Sequence, residues 1–109
     1  MKMITAIINR NDSGEVCREL SKNKIIFTKI ATSGGFLRAG NTTLLIGTQD
    51  DEVDAVLKII HDHSRRRTEQ VMEPMFVTDG IPIMNPRLID VEVGGATVFV
   101  TDVCRFEKM

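Results

Sequence analysis

Two segments of the chain carry apolar side chains on both faces of a predicted strand. In residues 25–31 and 43–48 these side chains are Ile25, Phe27 and Ala31 against Ile26 and Ile30, and Leu44 and Ile46 against Leu45. Such strands need apolar cover on both faces of their sheet. A chain of 109 residues with two predicted helices can cover only one face. We therefore expect a symmetric oligomer to cover the other.

The amino-terminal part of the chain predicts a strand followed by a short helix. Residues 1–8 are rich in isoleucine and indicate a buried strand that ends near Asn9. Asp12 or Ser13 is the expected N-cap of the helix, because Glu15 and the apolar periodicity follow at helical spacing. We expect this helix to end at Asn23.

A second helix is predicted from residue 50 onward. Its apolar residues recur at i, i+3, i+4 and i+7, and they are Val53, Val56, Leu57 and Ile60. Capping and the helix dipole explain the acidic residues Asp50, Asp51 and Asp54 at its start. The basic run 65–67 is expected to be a solvated end of the same helix.

The last third of the chain predicts a hairpin. Ile89, Val91 and Val93 alternate with acidic residues, and Gly94-Gly95 then turns the chain into a strand over residues 96–103. The resulting order is strand, helix, strand, strand, helix, strand, with one additional strand in the hairpin. This order predicts an α+β fold of the ferredoxin-like, split βαβ type, formed by residues 1–109 as a single domain.

Two connections are longer than the fold requires. They span residues 32–42 and 68–87, and long connections in compact domains are usually functional or mobile. Within the second connection, residues 75–77 and 81–84 flank the turn signal Asp79-Gly80. A small auxiliary hairpin is therefore expected, and Pro82 limits its pairing to an edge.

The composition excludes several classes of protein. Acidic and basic residues nearly balance at a formal net charge of -1, so the chain lacks the basic face that nucleic acid requires. The apolar amino terminus is too short for a signal peptide, and no membrane span is predicted. Without secretory features, Cys17 and Cys104 are expected to be reduced thiols in or near the core. These features indicate a cytoplasmic protein.

Residues 33–42, which we call the glycine segment, carry the clearest chemistry. Gly34, Gly35 and Gly40 allow backbone amides to approach a ligand. Arg38 can neutralise phosphate, and Phe36 can stack on a base. Neither a P-loop nor a Rossmann fingerprint is present. A flexible loop between two strands remains the alternative.

The other chemically interesting residues favour structural roles. His61 and His63 are two positions apart on a helix and point to different sides, which predicts surface histidines and no metal site. Phe27 and Phe106 are expected in the core. For Phe99 two roles remain open, which are packing in the core and stacking on a ligand. Because no nucleophile stands beside a general base, an enzyme is not expected.

Two separated motifs resemble the PII-like cyclic di-AMP receptor family. They are the segment TKIATSGGFLRAGNTTLLIG at residues 28–47 and VEVGGATVFV at residues 91–100, and the opening MKMI agrees. The resemblance covers nearly the whole chain. It implies a homotrimer of ferredoxin-like subunits that holds cyclic di-AMP between neighbouring subunits, with no other cofactor.

The resemblance also implies the ligand contacts. Matching positions are Thr28, Gly35, Phe36, Leu37, Asn41, Gly47 and Phe99, with Arg38 or Lys29 available to neutralise phosphate. The chain departs from the family pattern in three places. Lys24 and Ile26 stand where an Asn-x-Arg pattern is expected, and Lys108 stands where a glutamine is expected.

These features lead to a signalling function with two alternatives. The first expectation is a sensor whose long loops reorganise around cyclic di-AMP and signal to a downstream protein that the sequence does not identify. One alternative is a trimer that binds a protein partner independently of nucleotide, which Ile26 and Lys108 motivate. The other is a PII-like sensor of another nucleotide such as ATP.

Overall fold

The computed structural model describes residues 1–32, 40–72, 77–78, 81–82 and 88–109. Its elements in chain order are β1 (Lys2–Asn9), α1 (Arg10–Lys22), β2 (Thr28–Thr32), β3 (Asn41–Thr48), a 3-10 turn (Asp50–Glu52), α2 (Val53–His63), β4 (Arg67–Met72), β5 (Val77–Thr78), β6 (Ile81–Pro82), β7 (Leu88–Val93) and β8 (Ala96–Asp102).

Four of these strands form the main sheet, in the order β2-β3-β1-β8. Every neighbouring pair is antiparallel, and β1 pairs along its length with both β3 and β8. Because β3 lies between β1 and β2, helix α1 connects two strands that are not neighbours. This is the split βαβ arrangement that the element order predicts, in a mixed α+β fold.

The core lies between one face of the main sheet and the two α-helices in the described part of the chain. Alternate residues of β1 and β3 are buried against the helices, and the buried apolar set is Ile4, Ala6, Ile8, Val16, Leu20, Leu44, Ile46, Val56 and Ile60. Each fully buried aliphatic side chain of this size contributes about 1.5 to 3 kcal/mol. The alternation therefore fixes which face of the sheet meets the helices.

The opposite face of the main sheet has no helix against it in the described part of the chain. We call it the open face, and its residues, taken from the strand register, are Met3, Thr5, Ile7, Thr28, Ile30, Thr32, Asn41, Thr43, Leu45, Gly47, Thr97, Phe99 and Thr101. Ile30 and Phe99 remain 40% and 46% exposed. The prediction that two helices leave one apolar face uncovered is confirmed for the chain by itself.

The start of α1 differs from the sequence prediction. Asn9 is the N-cap, and its Oδ1 accepts a hydrogen bond from the Asn11 N–H at 2.9 Å. Asp12 and Ser13 lie inside the first turn, so the expectation that one of them caps the helix is wrong. The predicted end at Asn23 is confirmed.

The start of α2 has acidic residues as predicted, but they make no side-chain capping bond. Asp50 instead pairs with the amino group of Met1 at 2.9 Å. The helix ends at His63, so the arginine run lies beyond it. Arg67 begins β4 and pairs with Asp12, which corrects the expectation of a solvated helix end.

The predicted terminal hairpin is wrong, because β7 and β8 belong to different sheets. β7 pairs with β4 from Arg67↔Val93 to Met72↔Leu88, whereas β8 pairs with β1. We call the β4–β7 pair the ribbon. Because β4 includes residues 68–72, the predicted connection over residues 68–87 begins with a strand and is shorter than expected. Gly94 and Gly95, both at φ +83°, carry the chain from the ribbon into the main sheet.

Strands β5 and β6 form a small hairpin. Val77 pairs with Pro82 and Thr78 pairs with Ile81, so the predicted auxiliary hairpin is confirmed around the Asp79-Gly80 signal. Its paired strands are shorter than the predicted segments. The turn itself and residues 75–76 and 83–84 lie outside the described residues.

Gly94 is a position that only glycine satisfies, and this gives a test of the path between the two sheets. A Cβ there would lie 2.5 Å from the Arg65 carbonyl oxygen, and the positive φ adds strain. We expect Gly94→Ala to lower the free energy of unfolding by about 2 to 4 kcal/mol, measured by urea denaturation.

Gly14→Ala is the matched control, since a Cβ at this position in α1 meets nothing within 4 Å. It should stabilise the protein by about 0.5 to 1 kcal/mol. Equal effects of the two alanine substitutions would contradict the described path of the chain at Gly94.

Candidate functional site

Thr28 and Phe99 lie on one row that crosses all four strands of the open face. The strand register gives this row as Thr28, Leu45, Thr5 and Phe99. With neighbouring strands about 4.8 Å apart, the Cα atoms of Thr28 and Phe99 are separated by roughly 14 Å. These two predicted ligand contacts therefore lie on the two opposite edges of the sheet, strands β2 and β8.

Gly47 lies on the next row, opposite Met3. It is exposed, and a Cβ there would meet only the methyl group of Met1, at 3.6 Å. The backbone at this position is therefore accessible from the open face. Gly47 is two residues, about 7 Å, along β3 from the row that contains Thr28 and Phe99.

Asn41 lies at the other end of β3, where the glycine segment returns to the sheet. It is buried, and its Oδ1 accepts a hydrogen bond from the hydroxyl of Thr32. Thr32 Oγ1 is also 2.9 Å from Thr43 Oγ1. The Asn41 carboxamide therefore helps to tie β2 to β3, and its predicted contact with a ligand stays a prediction.

Lys29 lies on the face opposite Thr28, because successive residues of a strand alternate. In the register it pairs with Leu44, whose side chain is buried beneath the helices. Burial raises the pKa of the Cys17 thiol on α1, and the charge of Lys29 opposes part of that rise. The cation therefore acts on the helix side of the sheet, and its predicted role with phosphate stays a prediction.

Gly35, Phe36, Leu37 and Arg38 lie outside the described residues, so their predicted ligand contacts stay predictions. The structure does describe where the glycine segment leaves and rejoins the sheet. Thr32 ends β2, and the Gly40 carbonyl accepts a hydrogen bond from the Arg10 N–H at 3.3 Å. Both ends of the segment therefore lie at the same end of the neighbouring strands β2 and β3, where Thr32 pairs with Asn41.

Several residues that the sequence assigned to structural roles have specific partners. His63 Nδ1 lies 2.8 Å from Glu15 Oε1, so this half-buried histidine links α2 to α1 and is not a simple surface residue. His61 is exposed, as predicted. Cys17 packs against the core, whereas Cys104 is exposed, which contradicts its expected burial.

The aromatic residues also divide between core and surface. Phe27 packs against the core as predicted, whereas Phe106 is 64% exposed beyond the end of β8, so its predicted core position is wrong. Phe99 is part of the open face, whereas the neighbouring residue Val98 of β8 packs against the core on the helix side. Its position is thus compatible with stacking on a ligand or packing on a second subunit.

The sequence analysis missed the pair formed by Asp12 and Arg67. Two hydrogen bonds join the guanidinium to the carboxylate, at 2.9 and 3.2 Å, and the Asp12 side chain is only 8% exposed. Hydrogen bonding to Asp12 raises the pKa of Arg67. No local pattern could reveal this contact, because the two residues are 55 positions apart.

Comparison with solved structures identifies a protein that is similar to this chain in fold and in sequence. The crystal structure of a functionally unknown protein from Pediococcus pentosaceus is 36% identical to this chain and superposes with a TM-score of 0.77. The match covers 99% of this chain and 96% of that protein. A family model described as cyclic-di-AMP receptor matches residues 1–109, the whole chain. The chain belongs to the cyclic di-AMP receptor family.

The family is one of receptors for a signalling nucleotide, and it is not an enzyme family. Within the described ranges of this receptor, no group of three or more His, Cys, Asp or Glu side chains could hold a metal ion. No helix among the same residues is long and apolar enough to cross a membrane.

The position of Lys29 can be tested through Cys17. Replacing Lys29 with Met removes a charge that favours the thiolate, so the pKa of Cys17 should rise further and less thiolate should exist at a given pH. We expect alkylation of Cys17 by iodoacetamide near pH 8 to slow by about twofold or more. Mass spectrometry of the peptide that contains Cys17 measures the rate.

The exposed Cys104 is an internal reference, since its rate should be the same in both proteins. Lys58→Met, which removes an exposed cation from α2, is the matched control and should leave Cys17 unchanged. An unaltered Cys17 rate in Lys29→Met would show that Lys29 does not face the helix side.

Proposed function

We propose that this receptor is a cytoplasmic homotrimer that binds cyclic di-AMP between neighbouring subunits and signals to a partner protein through conformational changes in its loops. The observation that carries the proposal is the distribution of Thr28 and Phe99 over opposite edges of one open face. Membership of the cyclic di-AMP receptor family supports the choice of ligand.

The separation of these two residues favours a site between subunits. In a cyclic trimer each contact is heterologous, so the β2 edge of one copy meets a different edge of the next copy. If that second edge is β8, Thr28 and Phe99 of neighbouring subunits come together. Within one subunit they remain about 14 Å apart across the sheet.

The residue chemistry suits a cyclic dinucleotide. The Thr28 hydroxyl can donate to or accept from a base or phosphate, and Gly47 leaves backbone groups open to approach. The ring of Phe99 can stack on an adenine. Arg38 is the cation that the sequence offers to the phosphates, together with backbone groups of Gly35, Phe36 and Leu37 in the glycine segment.

The open face also supports the trimer. Its apolar residues include Ile7, Ile30, Leu45 and Phe99, and threonines occupy neighbouring positions on the same face. A single subunit has no helix in its described part to cover them. Closed three-fold packing buries the same face on every copy, and this accounts for strands that are apolar on both sides.

Isothermal titration with cyclic di-AMP tests the proposed ligand. We expect selective binding near one ligand per chain, with ATP and cyclic di-GMP binding far more weakly. Phe99→Ala should raise the dissociation constant by roughly five- to 150-fold, because stacking on an aromatic ring contributes about 1 to 3 kcal/mol per base.

Two conservative variants are the controls for this titration. Phe99→Tyr keeps a ring for stacking, and Thr28→Ser keeps the hydroxyl, so both should bind nearly as well as the unaltered protein. Equal affinity of Phe99→Ala and Phe99→Tyr would remove Phe99 from the site. ATP as the preferred ligand would replace cyclic di-AMP in the proposal.

The oligomeric state can be tested by sedimentation. The unaltered protein should sediment as three chains, and Leu45→Asp should dissociate it because a carboxylate then lies in the middle of a buried apolar face. Leu88→Asp is the control, since Leu88 is 62% exposed in the ribbon and its change should leave three chains together. A trimer that survives Leu45→Asp would place the contact elsewhere.

The second candidate is a trimer that binds a protein partner without nucleotide. It is favoured by Ile26, which is 88% exposed in the segment before β2, where an apolar side chain can contact another protein. Lys24 in the same segment has a φ of +59°. If neither cyclic di-AMP nor ATP binds to a protein that sediments as a trimer, this second function replaces the first.

A further inference from the structure

The first turn of α1 touches the end of the glycine segment. The Arg10 N–H donates to the Gly40 carbonyl at 3.3 Å, and the Arg10 guanidinium lies directly against Gly40. A Cβ on Gly40 would be only 3.0 Å from Arg10 Nη2, and Gly40 has a φ of +86°. Asn9 pairs with Asn41 at the adjoining position of the sheet. The return of the glycine segment is therefore packed against the helix start.

The same turn of α1 holds the base of the ribbon. Asp12, two residues after Arg10, accepts both hydrogen bonds from the guanidinium of Arg67, the first residue of β4. Arg67 Nη1 also donates to the Arg65 carbonyl at 3.2 Å. The strand that begins the ribbon is thus fixed to a buried carboxylate of the helix.

The rest of the ribbon has little else to hold it. The described side chains of β4, from Arg67 to Gln70, are exposed, and Leu88, Ile89 and Asp90 of β7 are exposed as well. Two further ion pairs at its base, Arg66 to Glu92 at 3.7 Å and Arg67 to Glu69 at 3.3 Å, are exposed. A two-stranded ribbon is at best marginally stable by itself, so its anchor at Asp12 largely determines its position.

We infer that the first turn of α1 couples the glycine segment to the ribbon. Arg10, which contacts Gly40, and Asp12, which holds Arg67, are the positioning residues. The inference rests on the proposed function, in which the glycine segment contacts the nucleotide and conformational changes signal to a partner protein, and it adds the ribbon as the element that moves. Ligand binding that shifts Gly40 is then transmitted through one helical turn to Arg67.

The turn is stiff enough to transmit such a shift. Asn9 caps it, and the Ser13 hydroxyl donates to the Arg10 carbonyl at 2.9 Å. Ser13 and Asp12 are both buried, which leaves the turn little freedom to absorb a displacement of Arg10. The ribbon, in contrast, has few described contacts beyond the Asp12 pair, so it can follow a displacement of the turn at small cost.

Hydrogen exchange without nucleotide tests the coupling directly. Arg10 has no described contact with the ribbon, yet Arg10→Gln should accelerate exchange of the ribbon amides, residues 67–72 and 88–93, by roughly two- to thirtyfold. Arg18→Gln, which removes an exposed cation from the same helix, is the matched control. Equal exchange of the ribbon in both variants would overturn the inference.

The reciprocal experiment starts from the ribbon. Arg67→Gln should accelerate exchange at residues 40–43, which Arg67 does not touch, by a similar factor, because coupling between two sites is reciprocal. Glu69→Gln is its control, since Glu69 pairs with Arg67 at 3.3 Å within the exposed ribbon only. Acceleration that extends equally to all of β1 would indicate general destabilisation and also contradict the coupling.

A titration of the same variants separates this inference from the proposed function. If the unaltered protein binds cyclic di-AMP, Arg67→Gln should change its affinity although Arg67 lies outside the predicted ligand contacts, and unchanged affinity would count against coupling. If no cyclic di-AMP binds, the proposed function fails, whereas the exchange experiments still decide whether the turn couples the two segments.

Discussion

The structure depends on one constraint, which is that a four-stranded sheet with apolar residues on both faces has helices on only one of them in the part of the chain that the structure describes. β1 and β3 place Ile4 and Ile46 against the helices and Thr5 and Leu45 on the open face. The covered face makes the core of a single chain. The other face has apolar side chains with no helix against them among the described residues, and it is also the face on which Thr28 and Phe99 lie. In the proposed function, assembly and ligand recognition are therefore two uses of the same surface.

Local periodicity was sufficient to locate strands β1, β2 and β3 of the main sheet and the two α-helices in the described part of the chain. The pattern around Val56 and Ile60 located α2, and the order of elements gave the split βαβ arrangement. The pairing of β7 was not predictable in the same way. Gly94-Gly95 followed by a second apolar strand is a good hairpin signal, but β4 and the free edge of β1 compete for the two strands. Which competitor wins depends on partners far away in sequence.

The strand positions of the predicted ligand contacts could be read from the sequence, but their arrangement across the sheet could not. Strand alternation could place Lys29 opposite Thr28, yet only the register shows that Thr28, Leu45, Thr5 and Phe99 form one row. The sequence suggested Asp12 or Ser13 as the cap because Glu15 and the apolar periodicity follow at helical spacing. The true partner of Asp12, Arg67, is brought to it by the tertiary fold, and a local reading of either residue gives a different role.

The Asp12–Arg67 pair shows how a weak element can still be positioned accurately. An exposed ion pair contributes about 0 to 1 kcal/mol, whereas removing one partner of a fully buried pair costs about 3 to 5 kcal/mol. Here the carboxylate is buried but the guanidinium is 42% exposed, so the cost of breaking the pair lies between these limits. That is enough to favour one position of a ribbon with few other contacts. In the proposed coupling, this cost is also small enough for ligand binding to compete with it.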